Sequence, residues 1–251
     1  MRIAQIACGH KDELAREERT VGGLHAFLLD EVASRVPKDA RVLDVGCGTG
    51  AWLSRLRHAG YGCLYGIDLD DTAMSLPEVD FNKVDLERED WQIKMRTFDL
   101  ITAIEVIEHI GNRTNFLSNL HRHLNPNGLV LLTTPNVHNL ASRLRFALTD
   151  SLRQFDEKAD RTHYQPIVLH PFQLLLQREG FRTAHLGTYP PNGTLLQSRR
   201  MSRYFFESAR AVLADGLPGE ILIMWIVRER VGVSGDVSKR LCRAFAHGAE
   251  A

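Results

Sequence analysis

The stretch Arg41-Val42-Leu43-Asp44-Val45-Gly46-Cys47-Gly48-Thr49-Gly50 limits what this chain can become more than any other. Its first half is a short run of β-branched and aliphatic residues, the pattern of a strand buried on both faces. Glycine then falls at alternate positions. Glycine alone turns easily at positive φ and lets a ligand reach the main chain without meeting a Cβ. Beyond Gly50, Trp52, Leu53 and Leu56 repeat at helical spacing. Strand, glycine turn and helix together open a nucleotide-binding βαβ unit. The spacing is Gly-x-Gly-x-Gly, which differs from the Gly-x-Gly-x-x-Gly of dinucleotide dehydrogenases and argues against a nicotinamide enzyme.

Strand and helix patterns alternate along the rest of the chain. Cys63-Leu64-Tyr65-Gly66-Ile67-Asp68 reads as a second buried strand ending in a carboxylate. Asp68 lies about 20 residues past the glycine loop, where an acid accepts hydrogen bonds from the ribose hydroxyls of an adenosine ligand. Capping the next helix is the competing role, which Asp70 or Asp71 can fill instead. A short third strand falls within residues 79–86. A central strand follows over residues 97–104 and sets Glu105 at its carboxyl end, where open α/β sheets place ligands. Asn125-Pro126-Asn127-Gly128 predicts a turn ahead of an apolar strand over 129–135. A helix beginning at His170-Pro171-Phe172 stops at Gly180, a C′ glycine. Residues 181–187 and 221–227 complete seven candidate strands, with a further helix over 198–214. Such alternation predicts an α/β fold, a doubly wound, mostly parallel seven-stranded sheet in one domain.

A chain of 251 residues suits one such domain. We expect a helical lead-in over 1–36, whose stripe of Leu24, Phe27, Leu28 and Val32 either packs on the sheet edge or covers the site with His10 and His25. The main domain then occupies 37–230, with a lid inserted over 137–169 and a tail over 231–251. Lys plus Arg and Asp plus Glu both number 31, a balance that argues against a protein built to neutralise nucleic-acid phosphates and leaves a small molecule as the expected partner. No apolar run reaches the roughly 18 residues of a membrane span, and the opening Met1-Arg2-Ile3-Ala4-Gln5-Ile6 is too soon polar for a signal peptide. Cys8, Cys47, Cys63 and Cys242 are scattered without metal-type spacing, as reduced thiols of a cytoplasmic protein are.

Together, the glycine stretch, Gly66-Ile67-Asp68, Glu105-Val106-Ile107-Glu108-His109-Ile110, Asn125-Pro126-Asn127-Gly128 and Thr133-Thr134-Pro135-Asn136 resemble the class I S-adenosylmethionine-dependent methyltransferases. The nearest flavour is the branch containing the ubiquinone-biosynthesis O-methyltransferases, and the likeness runs over about residues 38–190. The resemblance implies that S-adenosylmethionine is framed by Asp44, Gly46, Cys47, Gly48, Gly50, Asp68, Leu69, Asp85, Leu86, Glu105 and Val106. In that pattern Asp85 reaches the adenine amino group, Leu86 packs on the ring, and Glu105 and Val106 lie near the donor methyl. It further implies transfer to a small-molecule acceptor, at a hydroxyl oxygen, with the acceptor itself and the oligomeric state left open.

Three readings stand for Glu105, Glu108 and His109. With a helix starting near Glu105 they share one face at i, i+3 and i+4, and can hold a divalent ion such as Mg²⁺. Alternatively His109 acts as a general base without metal, its ordinary pKa of about 6.5 suiting proton transfer near neutrality. The third reading is a solvated helix start whose acids the dipole favours. Similar Glu-x-x-Glu-His clusters bind metal in the ubiquinone-type enzymes and in small-RNA 3′-terminal 2′-O-methyltransferases. In the RNA enzymes a later histidine joins, a place open here to His163 or His170. Arg199, Arg200 and Arg203 form a basic cluster, either a solvated helix face or a phosphate contact. The alternatives to a small-molecule enzyme are therefore a metal-dependent RNA-terminus methyltransferase and a cofactor-binding protein without catalysis.

Overall fold

The computed structural model describes residues 18–70, 76, 79–93, 97–156, 160–163, 165–191 and 217–229. The expected helix over 198–214, the arginine cluster at 199–203, His10, Cys8, Cys242 and the tail lie outside the described residues. Helix α1 (Leu24–Ala33) precedes β1 (Arg41–Val45), α2 (Ala51–His58), β2 (Cys63–Asp68), β3 (Asp80–Lys83) and β4 (Phe98–Ile104). After a 3₁₀ turn (Ile107–His109) come α3 (Arg113–His123), β5 (Leu124–Pro135), α4 (Leu140–Thr149), α5 (Leu169–Arg178), β6 (Phe181–Tyr189) and β7 (Ile221–Arg228). The sheet order is β3-β2-β1-β4-β5-β7-β6. Strands β1 to β5 pair in parallel, whereas β7 runs antiparallel to both β5 and β6. This is the doubly wound, mostly parallel sheet expected from the alternation of elements.

Successive residues of a strand point to opposite faces, so a strand covered on both sides must be apolar throughout. Strand β1 shows this directly. Leu43 and Val45 pack into a core with Phe98, Phe116, Leu132 and Met224, while Val42 packs into a second core with Leu28, Leu56, Leu100 and Trp225. Helix α1 seats Leu24, Leu28 and Val32, spaced one turn apart, into that second core, and Trp225 Nε1 donates to Glu31 Oε2 at 3.3 Å. The helix thus packs on the sheet through this stripe, while its His25 faces the cavity described below.

One sequence expectation fails here. Residues 125–128 do not form a turn before the strand, because β5 already begins at Leu124. Phe98 pairs with Leu124 and Leu100 with Leu129, so the turn-forming residues are absorbed as a bulge. Gly128 permits it, since a Cβ there would lie 2.6 Å from Leu124 Cδ1. Among the described residues no helix is long and apolar enough to cross a membrane.

Candidate active site

Strand order reverses between β1, which leads outward to β2 and β3, and β4, which leads to β5. Loops leaving the carboxyl ends of those two strands diverge and open a crevice, the usual ligand position in such sheets. The glycine loop leaves β1 there, and Glu105 leaves β4 beside it. Gly46 has φ +72°, and a Cβ on it would sit 2.6 Å from Val106 Cγ2, so both the backbone sign and the close approach require glycine. The loop is tied to β2 through Gly46 N–H and Cys47 N–H, which donate to the Ile67 carbonyl at 2.8 and 3.1 Å. Gly48 N–H donates to Asp68 Oδ2 at 2.8 Å and Asp70 N–H to Asp68 Oδ1 at 3.1 Å. Asp68 is therefore oriented by the loop and kept beside it.

The crevice is a cavity of about 880 Å³. From the expected cofactor set it is lined by Asp44, Gly46, Cys47, Gly48, Asp68, Leu69 and Glu105. Leu69 is 62% exposed, an apolar side chain held out at the cavity rim. Four members of that set do not line it. Gly50 caps α2 at φ +77°, and Val106 turns its side chain against Gly46. Asp85 receives Glu87 N–H at 3.0 Å and lies 4.0 Å from Arg88, while Leu86 packs on the core.

The opposite walls come from segments distant in sequence. Trp52 and His25, ring centroids 5.5 Å apart, line one side with Arg19 and Thr20. Arg55 pairs with Glu18 and fixes this approach to α2. Burial lowers the His25 pKa to about 4, Arg55 adding and Glu18 opposing, so this ring is neutral. His109, Asp160, Thr162 and His163 form the other side. His163 and Asp160 belong to the connection between α4 and α5, whose flanks are joined where His138 accepts from Leu169 N–H at 3.1 Å. Arg19, Thr20, Trp52, Asp160 and Thr162 were not legible as site residues. Trp52 has the spacing of a core position, and the others reach the cavity only because the chain returns to it.

Around His109 the structure corrects the expected cluster. Glu105 is not on a helix with Glu108: the 3₁₀ turn starts at Ile107, and Glu105 has φ +55°. The group whose ligand atoms all lie within 4.8 Å of one another is Glu108, His109 and His163. Of the two later histidines, His163 arrives and the exposed His170 does not. His109 Nδ1 lies 3.1 Å from the Thr162 carbonyl, and its ring meets that of His163 at 4.7 Å. Burial and the neighbouring His163 push its pKa down, against the Thr162 carbonyl and Asp160. Glu108 is fully buried; His163 Nε2 lies 3.9 Å from its Oε1, and among the described residues neither oxygen has a partner in hydrogen-bond geometry. Burial raises it to about 7; its own amide and the Thr134 hydroxyl, both near but outside hydrogen-bond geometry, oppose this together with Arg113.

The carboxylates nearer the glycine loop are perturbed in the same direction. Asp44 is buried and accepts from Thr102 Oγ1 at 2.7 Å. Burial raises it to about 7, Thr102 opposing and the like charge of Asp68 adding. Glu105 is raised well above its ordinary value by enclosure and then by Glu108, while Thr133 opposes. These carboxylates, with no cation paired to them among the described residues, are what a cavity that receives a positively charged ligand should contain.

Fold and site together define an α/β domain in which a glycine loop, Asp68 and several buried acids meet in one crevice at the carboxyl edge of the sheet. Residues 16–186 match the family described as Methyltransferase domain, and the chain belongs to that family. It is similar to a ubiquinone biosynthesis O-methyltransferase of Rickettsia akari, 32% identical over 101 residues that make up 38% of this chain. The chain spans only 40% of that relative's length. Among solved structures it resembles an S-adenosylmethionine-dependent methyltransferase from Archaeoglobus fulgidus, with a TM-score of 0.57, 18% identity, and coverage of 82% of this chain and 94% of that one. Another from Mesorhizobium loti gives a TM-score of 0.52 and 17% identity, covering 80% and 98%. At such identities the likeness is one of fold.

Proposed function

We propose that the protein transfers a methyl group from S-adenosylmethionine to a hydroxyl oxygen of a small-molecule acceptor. One observation carries this: a single continuous cavity joins the glycine loop and Asp68 to His109, Asp160, Thr162 and His163. The residues fit the cofactor. Asp68 would hold the ribose and Leu69 the adenine face, while Asp44 and Glu105 offer negative charge to the ammonium and sulfonium. Arg19, which alone among the described lining residues carries a fixed positive charge, would take the carboxylate. The cofactor supplies a methyl already activated on sulfur, so the protein's work is positioning, worth several kcal/mol and up to roughly 10. With Nδ1–H donated to the Thr162 carbonyl, His109 presents Nε2 as its basic nitrogen, and its lowered pKa keeps the ring neutral and able to take the hydroxyl proton. The similarity to a ubiquinone biosynthesis O-methyltransferase supports oxygen as the acceptor atom. A cytoplasmic location fits the free thiols of Cys47 and Cys63.

A second feature favours a divalent ion at Glu108, His109 and His163. A fully buried carboxylate with no hydrogen-bond partner is costly alone and ordinary beside a metal. Two imidazoles and one carboxylate suit Zn²⁺, Mn²⁺ or Fe²⁺ better than Mg²⁺, which prefers oxygen throughout. Bound there, the ion would add Lewis-acid character, and His109 would serve as ligand instead of base. Transfer of labelled methyl to a panel of phenols and catechols tests both readings. We expect turnover on a hydroxylated acceptor. If the ion is required, chelator lowers that turnover at least tenfold and His163→Ala reproduces the loss. Turnover on an RNA 3′ end alone would move the protein to the RNA-terminus class, and tight cofactor binding without turnover on any acceptor would mark it as non-catalytic.

Asp44 predicts a pH dependence of cofactor affinity. In the free protein its carboxyl holds a proton up to about pH 7. This raised pKa makes the folded state bind a proton more tightly than the unfolded chain, so its contribution to stability falls as pH rises from about 4 to 7. Pairing with the ammonium requires the ionised form. Affinity measured by calorimetry should therefore rise about tenfold between pH 6 and pH 8, and Asp44→Asn should flatten that rise.

A further inference from the structure

We propose that Glu105 reads the charge on the cofactor sulfur, favouring the sulfonium donor over its neutral demethylated product and so limiting product inhibition. This rests on the methyltransferase reading above. The first support is backbone geometry. Glu105 leaves β4 at φ +55°, a region unfavourable to residues other than glycine and kept only where the surroundings enforce it. Thr133 on the neighbouring strand supplies the enforcement twice. Its Oγ1 accepts the Glu105 N–H at 3.0 Å, and its hydroxyl donates to Glu105 Oε1 at 3.2 Å. An ordinary extended residue at the end of β4 would continue along the strand direction; this clamp instead sets the carboxylate in the cavity wall.

The second support is position. The adjoining Val106 abuts the Gly46 backbone, and the methyltransferase reading seats the amino-acid end of the donor against that loop. On the other side, Glu108, His109 and His163 gather at the acceptor wall. In the methyltransferase reading the transferred methyl lies between these two groups of residues, and Glu105, next to Val106 in the chain and close enough to Glu108 to feel its charge, is a cavity-lining carboxylate between them. Of the other acids lining this end of the cavity, Asp68 holds the Gly48 and Asp70 amides, and Asp44, which accepts from Thr102, is assigned above to the ammonium. Glu105 has one hydroxyl partner among the described residues and keeps acceptor capacity to spare.

During transfer the S–CH₃ bond breaks with both electrons staying on sulfur, the acceptor O–C bond forms, and the hydroxyl proton passes to His109. Sulfur thus goes from a unit positive charge to neutral. Glu105, whose protonated form the free protein favours, ionises against the sulfonium; once sulfur is neutral that carboxylate loses its counter-charge in a poorly solvated wall, and the product complex rises in free energy relative to the donor complex. A negative charge here stabilises the ground state at least as much as the transition state, so its effect appears in selectivity and release rather than in the chemical barrier.

Calorimetry on the full chain tests this with three ligands: S-adenosylmethionine, S-adenosylhomocysteine and sinefungin, which carries an amine cation in place of the sulfonium and has no transferable methyl. We expect the wild type to bind the two cationic ligands about tenfold tighter than the neutral one. Glu105→Gln should bring all three within about twofold, chiefly by weakening the cationic pair, while Glu105→Asp keeps part of the preference. Thr133→Val, which releases the clamp and preserves the charge, should reduce the preference as well and serves if Glu105→Gln folds poorly. Equal affinity of the wild type for all three, or uniform weakening in Glu105→Gln, overturns the charge-reading role and leaves the methyltransferase reading intact. Failure of the wild type to bind any of them removes the cofactor reading itself.

Discussion

Asp68→Ala is expected to weaken S-adenosylmethionine binding at least about 100-fold. In the proposed role Asp68 accepts two hydrogen bonds from ribose hydroxyls, and losing them costs roughly 1.5–3 kcal/mol each. The Gly48 and Asp70 amides, which now donate to Asp68 at 2.8 and 3.1 Å, lose their acceptor at the same time, so the loop is less well fixed for its ligand. Asp68→Asn keeps one acceptor oxygen and should lose roughly tenfold. Asp70→Ala is the control: it lines the cavity and bears the same charge, but the Gly48 amide donates to Asp68. It should weaken binding less than threefold, within the range of a partly exposed charge. Calorimetry separates these outcomes. If Asp68→Ala binds as Asp70→Ala does, the acid at the end of β2 is not the ribose ligand, and its job is to hold the loop.

What was legible in the sequence follows from which physical facts a linear pattern can carry. The glycine loop was readable because each glycine reports a local backbone demand: Gly46 needs positive φ and room for Val106, and both needs appear in one residue type. Asp68 was readable because a strand and a helix of ordinary length set its distance from that loop. The α1 stripe was readable because Leu24, Leu28 and Val32 repeat at the helical period. By contrast, Asn125-Pro126-Asn127-Gly128 carries turn chemistry that a bulge satisfies equally well, and only the pairing of Leu124 with Phe98 decides between them. The cluster around His109 was half legible. Spacing alone put Glu105, Glu108 and His109 on one helical face, but the clamp from Thr133 holds Glu105 off any helix. Its replacement in the cluster, His163, arrives from 54 positions beyond His109, and no local pattern distinguishes it from His170. Arg19 and Asp160 belong to the same category: their position in the cavity is a tertiary fact.

Gly46→Ala is expected to lower stability by about 3 kcal/mol and to abolish measurable cofactor binding. Two costs combine. A residue with a Cβ at φ +72° gives up roughly 1–2 kcal/mol, and overpacking a tight contact adds about 1–3 kcal/mol. The contact here is Val106 Cγ2, 2.6 Å from the new atom, with Cγ1 at 3.4 Å, so rotating the valine exchanges one methyl for the other. For a domain of this size, a loss near 3 kcal/mol shifts the melting midpoint by about 6–12 °C. The loop cannot relieve the clash by moving inward, because Gly46 and Cys47 both donate to the Ile67 carbonyl from beneath. It must move outward, into the cavity that Gly46 lines and that the proposed function gives to the donor, which is why binding and stability should fall together. Val106→Ala in the Gly46→Ala background separates the two costs. It removes the atom being struck and leaves the backbone sign unchanged, so about half of the lost stability should return. Cofactor affinity should recover only in part, since the φ strain still displaces the loop. Full recovery of both in the double variant would show that steric room against Val106 alone requires glycine at position 46. No recovery would place the whole requirement in the backbone conformation.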